Sequence, residues 1–378
     1  MKTNTDRMNV FAMTAPGVES ILARELFHMG INPGETTPGG VSFSGKIEHV
    51  MRANLWSRVA NRVVVRVDEF HASTFHELER RAKKIEWSRF LSSNQTARFR
   101  VTCRKSKLYH SDAVAERLGK AVVAAVGAKI ESDADDESES ESQLFIVRIV
   151  DDECTISVDS SGALLHRRGY RQAVAKAPLR ETLAAAMLYG SGWDMKSPLV
   201  DPMCGSGTIA IEAAMMARKI APGVNRTFAF EQWPDHDAKA WQEMTEKARA
   251  DALQKAPGQV VASDRDTGAI SAAGDNAERA GVAADVDLSI RSISAAEFPD
   301  TPGWVVTNPP YGVRVGESAP LRNLYAQIGK IIRDRAPRYR LALLSADPEL
   351  EAQLRLDLEE VFRTSNGGIP VRLVIGRG

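Results

Sequence analysis

Cysteine is scarce in this 378-residue chain: Cys103, Cys154 and Cys204 are the only three, with no CxxC spacing. An odd, scattered set frames neither a disulfide-stapled fold nor a cysteine-rich zinc site, and it suits a reducing compartment. The seven histidines show no HExxH, so no metal site is expected. No apolar run approaches the roughly 20 residues that cross a bilayer. The polar start, residues 1–7, is followed by no apolar core of a secretory signal. These absences predict a cytoplasmic chain with no membrane partner. Net charge is missing too, since 49 Lys and Arg balance 49 Asp and Glu. Hydrophobic residues at 43% and charged residues at 26% exclude a mainly disordered chain. The length allows roughly two or three domains.

The zero total hides an uneven distribution. Residues 61–120 carry 14 basic and 7 acidic side chains, whereas residues 131–159 carry 11 acidic and one basic. A neutral protein with a local basic face is still competent for a polyanionic partner. The run at 131–141, ESDADDESESE, repels itself and buries nothing, so it reads as a solvated loop that separates two regions.

Before that loop the pattern is mixed α and β. Apolar spacing predicts a helix over 17–29, and Val63-Val64-Val65 a strand over 61–68. Residues 75–91 are amphipathic, and 98–104 alternate as a half-buried strand. A helix over 111–126 has Ser111 as N-cap and Gly127 as its stop, and 144–150 with 154–158 read as a hairpin. After residue 160 strands at 198–201, 259–263, 287–293, 304–307 and 340–344 alternate with helices at 208–219, 267–280 and 321–334. An earlier helix carries Pro178 in its first turn and ends at Gly190. Alternation of this kind predicts a doubly wound, mostly parallel sheet. Asn366-Gly367-Gly368 between two apolar runs predicts a closing antiparallel hairpin.

Two strand ends carry chemistry. Asp201-Pro202-Met203-Cys204-Gly205-Ser206-Gly207-Thr208 joins a strand to a helix, with Gly205 and Gly207 free of a Cβ where a ligand approaches. The loop is neither GxGxxG nor a phosphate loop ending in GK[ST], and it holds no lysine. Its carboxylate suits an ammonium more than a phosphate. The next strand ends at Asp264, where a carboxylate accepts two ribose hydroxyls. S-adenosylmethionine combines both features. Thr307-Asn308-Pro309-Pro310-Tyr311-Gly312 follows a later strand. Its prolines remove two N–H donors and leave acceptors, the Asn308 side-chain oxygen and the Pro309 carbonyl, for the two hydrogens of an exocyclic amine. Tyr311 offers a stacking face. Chemistry of that kind needs positioning and electrostatics, with no covalent intermediate. Cys204 is expected to pack within the loop.

These residues resemble the class I, S-adenosylmethionine-dependent methyltransferases of exocyclic amines. LHRRGYR, APLRETLAAAM and IAPGVNRTFAFEQW are similar to the bacterial ribosomal RNA guanine-N2 methyltransferases of the RlmL type, and residues 61–87 resemble their THUMP region. The resemblance implies a ferredoxin-like α/β segment at 1–46, a THUMP RNA-binding domain at 47–160 with the acidic loop at 131–142, and a Rossmann-like methyltransferase domain at 161–378. It implies a seven-stranded sheet for that last domain. It implies that Asp201, Cys204, Gly205, Ser206 and Gly207 line the cofactor's methionine end, that Thr182 helps hold its carboxylate, and that Asp264 takes the ribose. Asn308 to Tyr311 would then hold guanine. The third strand ends in Arg291-Ser292-Ile293-Ser294, where relatives place Asp or Asn, so backbone near Ile293 or Ser294 is expected to meet the adenine. Arg98, Arg100, Arg104, Lys105 and Lys107, with Arg167, Arg168 and Arg171, are the expected path for RNA. Ribosomal RNA is favoured and transfer RNA is the main competitor. Adenine-N6 methylation of DNA and a non-catalytic RNA-binding assembly factor remain rival readings.

Overall fold

The computed structural model describes residues 7–131, 142–172, 179–311 and 318–377. Most of the acidic run, Pro178 and Gly312 lie outside them. The N-terminal half contains β1 (Met8–Met13), α1 (Glu19–His28), β2 (Pro33–Thr37), β3 (Gly40–Gly45), α2 (Ile47–Trp56) and β4 (Arg62–His71). It continues through α3 (Phe75–Ala82), β5 (Thr96–Arg104), α4 (Ser111–Val126), β6 (Lys129–Ile130), β7 (Gln143–Val150) and β8 (Glu153–Asp159). Its strands form one sheet ordered β2-β3-β1-β4-β8-β7-β5-β6. β4 joins two subunits of that sheet, since it pairs β1 on one side and β8 on the other, with a register shift between Arg66 and Asp68. The boundary drawn at residue 46 therefore falls inside a β–α–β unit, between β3 and α2.

The second half contains α5 (Glu181–Ser191), β9 (Leu199–Asp201), α6 (Thr208–Ala217), α7 (Ala238–Ala250), β10 (Val260–Asp264), α8 (Thr267–Arg279) and β11 (Val286–Ile290). Then come β12 (Gly303–Thr307), α9 (Ser318–Arg335), β13 (Tyr339–Ser345), α10 (Pro348–Leu354), β14 (Asp357–Asn366) and β15 (Ile369–Arg377). The seven strands are ordered β11-β10-β9-β12-β13-β15-β14. β15 runs against both neighbours and the rest are parallel. The turn of the β14–β15 hairpin consequently lies at the C-terminal edge of the parallel strands, the edge where such sheets bind ligands.

Helix ends differ from the sequence reading in two places. α4 starts with Ser111 inside the helix and His110 at the cap, while Gly127 closes it at φ 72° as expected. α5 passes through Gly190 and stops at Gly192, φ 74°. Gly190 lacks a Cβ for a packing reason, because one would sit 2.6 Å from Leu373 Cδ2.

Polar contacts lock the halves together. All ten residues of α6 are buried, including Glu212. Arg58 and Arg168 approach the Glu212 carboxylate at 3.7 and 3.4 Å, and Tyr170 Oη donates to it at 3.2 Å. Arg58 also donates to the carbonyl of Ile220, and Trp233 Nε1 to Gln143 Oε1 at 2.8 Å.

Candidate active site

The site is assembled on the C-terminal edge of β9, β10 and β12. β9 is wholly buried because apolar neighbours cover both faces, and it delivers Asp201 into the interior at 1% exposure. Asp201 Oδ1 accepts from Thr307 Oγ1 at 2.8 Å and from the Met203 amide at 3.4 Å. Burial, reinforced by the nearby Asp264 charge, pushes its carboxyl up to about 7 despite those two bonds. The Asp201–Thr307 bond ties the glycine-rich loop to the strand that ends in Asn308.

The loop then turns sharply. Gly205 and Gly207 take φ 52° and 84°, values that favour glycine. A Cβ on Gly207 would press on Ala273 Cβ at 3.0 Å, whereas one on Gly205 would meet nothing within 4 Å. Gly207 is thus required by helix packing, and Gly205 leaves open space beside the loop. The Ser206 carbonyl accepts from Asn276 of α8 at 3.1 Å. Cys204 is buried, and burial followed by the Asp201 and Asp264 charges raises its thiol well above the ordinary range.

β10 ends in the half-buried Asp264. Its Oδ2 accepts from the Gly205 amide and its Oδ1 from the Asp266 amide, each at 3.0 Å. Two backbone donors fix the carboxylate, which lines a cleft of 1390 Å³. The same cleft takes Pro202 and Met203 from the loop, Ser292 and Ile293 after β11, and Asn308, Pro309, Pro310 and Tyr311 after β12. Asn308 Oδ1 is buried with no hydrogen-bond partner among the described residues. An unpaired buried acceptor costs free energy unless a donor arrives, so this oxygen marks a place for one. Tyr311 Oη accepts from Asn366 Nδ2 at 2.6 Å.

Several residues fall elsewhere. Thr182 donates to Asn61 Oδ1 at 2.9 Å and lines a neighbouring 280 Å³ pocket. Ser294 is exposed and its carbonyl is taken by Arg335, leaving Ser292 and Ile293 at the cleft. Arg98 is 5% exposed and Arg168 is 6% exposed. Arg168 serves Glu212 and the Arg58 carbonyl, so neither arginine presents a surface to RNA, and both leave the expected path. Arg171 borders the cleft with its charge engaged by Glu181 at 3.0 Å. Arg100 and Arg167 are half-buried, while Arg104, Lys105 and Lys107 are exposed. His166 also borders the cleft, and burial together with four surrounding arginines lowers it to about 3, so it is neutral at pH 7. The sequence reading missed Arg180, Arg265 and Asn366 in the cleft wall. Arg265 had a signal, since it follows Asp264 directly.

A sheet in this order, with one reversed strand, an acidic glycine loop after β9 and a carboxylate ending β10, defines a class I methyltransferase. Comparison with known proteins narrows that class. Residues 168–375 match the RMKL-like methyltransferase domain, 9–64 the RlmL ferredoxin-like domain, and 72–159 the THUMP domain. The chain belongs to the RMKL-like methyltransferase family. It is 34% identical over 365 residues to a Synechocystis protein provisionally named an RNA methyltransferase, covering 96% of this chain and 95% of that one. It is 36% identical over 379 residues to the ribosomal RNA large subunit methyltransferase K/L of Syntrophotalea carbinolica, covering 96% of this chain. It spans only 53% of that relative's length. A solved structure provisionally described as a methyltransferase, complexed with SAH, superposes with TM-score 0.89 at 29% identity and 99% coverage of both chains. Among the described residues no group of three potential metal ligands is present, and no helix is long and apolar enough to cross a membrane.

Proposed function

We propose that this chain transfers a methyl group from S-adenosylmethionine to the exocyclic N2 amine of a guanine in structured RNA, with large-subunit ribosomal RNA in the cytoplasm as substrate. The observation that carries the reading is the unpaired Asn308 Oδ1 in a cleft it shares with Asp264. An amine that must shed its conjugation needs acceptors for its hydrogens, and Asn308 supplies one.

The cofactor fits the residues present. Open space beside Gly205 admits a ligand close to the backbone. The Asp264 carboxylate, pinned by two amides, keeps lone pairs for ribose hydroxyls. Asp201 does not line the cleft itself; its neighbours Pro202 and Met203 do, and its carboxylate anchors their loop to Thr307, one residue from an ammonium seated there. When bound, S-adenosylmethionine supplies an electrophilic methyl on its sulfonium. The chain's own work is then orientation. Asn308 accepts an amine hydrogen and aims the nitrogen lone pair, and Tyr311 stacks the base. Pro309 and Pro310 hold that turn rigid without adding donors.

RNA as the acceptor is supported by the match to THUMP at 72–159, by the exposed Arg104, Lys105 and Lys107, and by the names of the relatives. A guanine within a helix must leave the stack to reach Asn308. The test is methyl transfer from labelled S-adenosylmethionine to unmodified large-subunit ribosomal RNA, transfer RNA and duplex DNA, followed by nucleoside analysis. N2-methylguanosine from ribosomal RNA is the expected product. N6-methyladenine, or label confined to transfer RNA, would overturn the substrate. Absence of cofactor binding would return the assembly-factor reading.

A further inference from the structure

The contact between Tyr311 and Asn366 joins two segments 55 residues apart, at 2.6 Å. Asn366 is the last residue of β14, paired across the turn with Ile369. Gly367 and Gly368 form the two-residue turn at φ 56° and 82°. Positive φ at both central positions is the geometry whose twist matches the strands of a hairpin. The turn therefore holds Asn366 in one place. Because β15 is inserted in reverse between β13 and β14, that place is the same sheet edge that carries Asn308. Asn366 and Gly367 line the large cleft and the adjoining 280 Å³ pocket, so the hairpin tip is the partition between them.

Tyr311 is half-buried and immediately follows the proline pair. The preceding prolines stiffen the chain leading to it, but its own two side-chain torsions remain to be set. The amide of Asn366 sets them from outside the strand by holding the phenolic oxygen. We propose that Asn366 is a positioning residue for the methyl-transfer reaction: through the Tyr311 hydroxyl it fixes the ring against which the acceptor base stacks. This rests on the reading of Tyr311 as the stacking face. The hairpin then has a role in the chemistry besides closing the sheet.

The experiment is a double-mutant cycle of Asn366→Ala and Tyr311→Phe on the full chain, read as single-turnover methyl transfer at saturating RNA. Each single variant is expected to slow transfer by roughly 10-fold, since small misplacements of an aligned reactant are costly. The double variant is expected to be no slower than the slower single one, and S-adenosylmethionine affinity by calorimetry to stay within about 2-fold. Asn366→Asp keeps the size and can accept from the Tyr311 hydroxyl, so it should restore most of the rate while Tyr311 is present and none in Tyr311→Phe. Multiplicative losses in the double variant would mean that Asn366 acts independently of Tyr311 and would overturn the proposal. So would a full rate in Asn366→Ala, or Asn366→Asp as slow as Asn366→Ala with an unchanged melting temperature. Nucleoside analysis separates this from the guanine reading: a wild-type product other than N2-methylguanosine sinks that reading while the coupling stays measurable on the label.

Discussion

Replacing Asp201 by Asn should make the protein more stable at pH 8 and by a clearly smaller margin at pH 5. The carboxyl is 1% exposed and is held at about 7, where an unperturbed one titrates at 3.8. Between those pH values the folded chain binds a proton that the unfolded chain has released, so stability falls as pH rises, and the loss is complete above pH 7. The full difference corresponds to about 4 kcal/mol. Asparagine presents the same oxygen to Thr307 Oγ1 and the Met203 amide and has no charge to desolvate. At roughly 2.1 cal/mol/K per residue of unfolding entropy, 4 kcal/mol is about 5 °C in a chain this long that melts as one unit. Differential scanning fluorimetry of both proteins from pH 5 to 8 follows the gap as it widens by about 3 kcal/mol, the part of the shift that lies above pH 5. The difference between variant and wild type cancels the other raised carboxyls, among them Glu181, Glu25 and Asp159. S-adenosylmethionine should narrow the gap at pH 8, because its ammonium compensates the buried charge in the wild type alone. A gap independent of pH, or a variant less stable at pH 8, would refute the assignment of a destabilising buried charge to Asp201.

Glu212→Gln should cost about 3–5 kcal/mol in urea unfolding, because it leaves Arg58 and Arg168 buried with a neutral partner. Gly207→Ala should lose stability to strain and contact with Ala273, whereas Gly205→Ala should cost only the roughly 1 kcal/mol of its left-handed backbone and weaken cofactor binding in calorimetry, since a methyl there meets only open space. Changing Arg104, Lys105 and Lys107 together to Gln should weaken RNA binding and reduce its log–log salt slope by roughly 2 to 3. Arg98→Ala, by contrast, should act on melting temperature and leave the salt slope alone.

The sheet of the second half was legible because its strands are short apolar runs at β9, β10, β12 and β13, each buried on both faces and separated by helix-length segments. The same logic singled out Asp201, Asp264 and Asn308 as strand-end residues, since strand ends in such folds are marked by the change from apolar to polar residues. Burial of individual arginines was not legible. Alternation along β5 placed Arg98 on a polar face, but at that end the face meets Arg62 and Asp159, which are themselves buried. Arg168 reads locally as one of a basic cluster, and its partner Glu212 lies 44 residues on in a helix that is buried all round. α7 went unread because only Trp241, Thr245 and Ala248 are buried along its thirteen residues, too thin a stripe to stand out. The hairpin at Asn366 was legible as a turn, but its arrival beside Tyr311 depends on the reversed insertion of β15, which no local pattern encodes.

The central claim is that Asn308 Oδ1 is the acceptor for a guanine amine. Its most direct test is methyl transfer to unmodified large-subunit ribosomal RNA by the wild type and by Asn308→Ala, with cofactor affinity measured on both. The account predicts N2-methylguanosine from the wild type, loss of that product in the variant by at least about 100-fold, and S-adenosylmethionine binding unchanged. A variant that still forms the product at the wild-type rate, with the cofactor bound equally well, would contradict it.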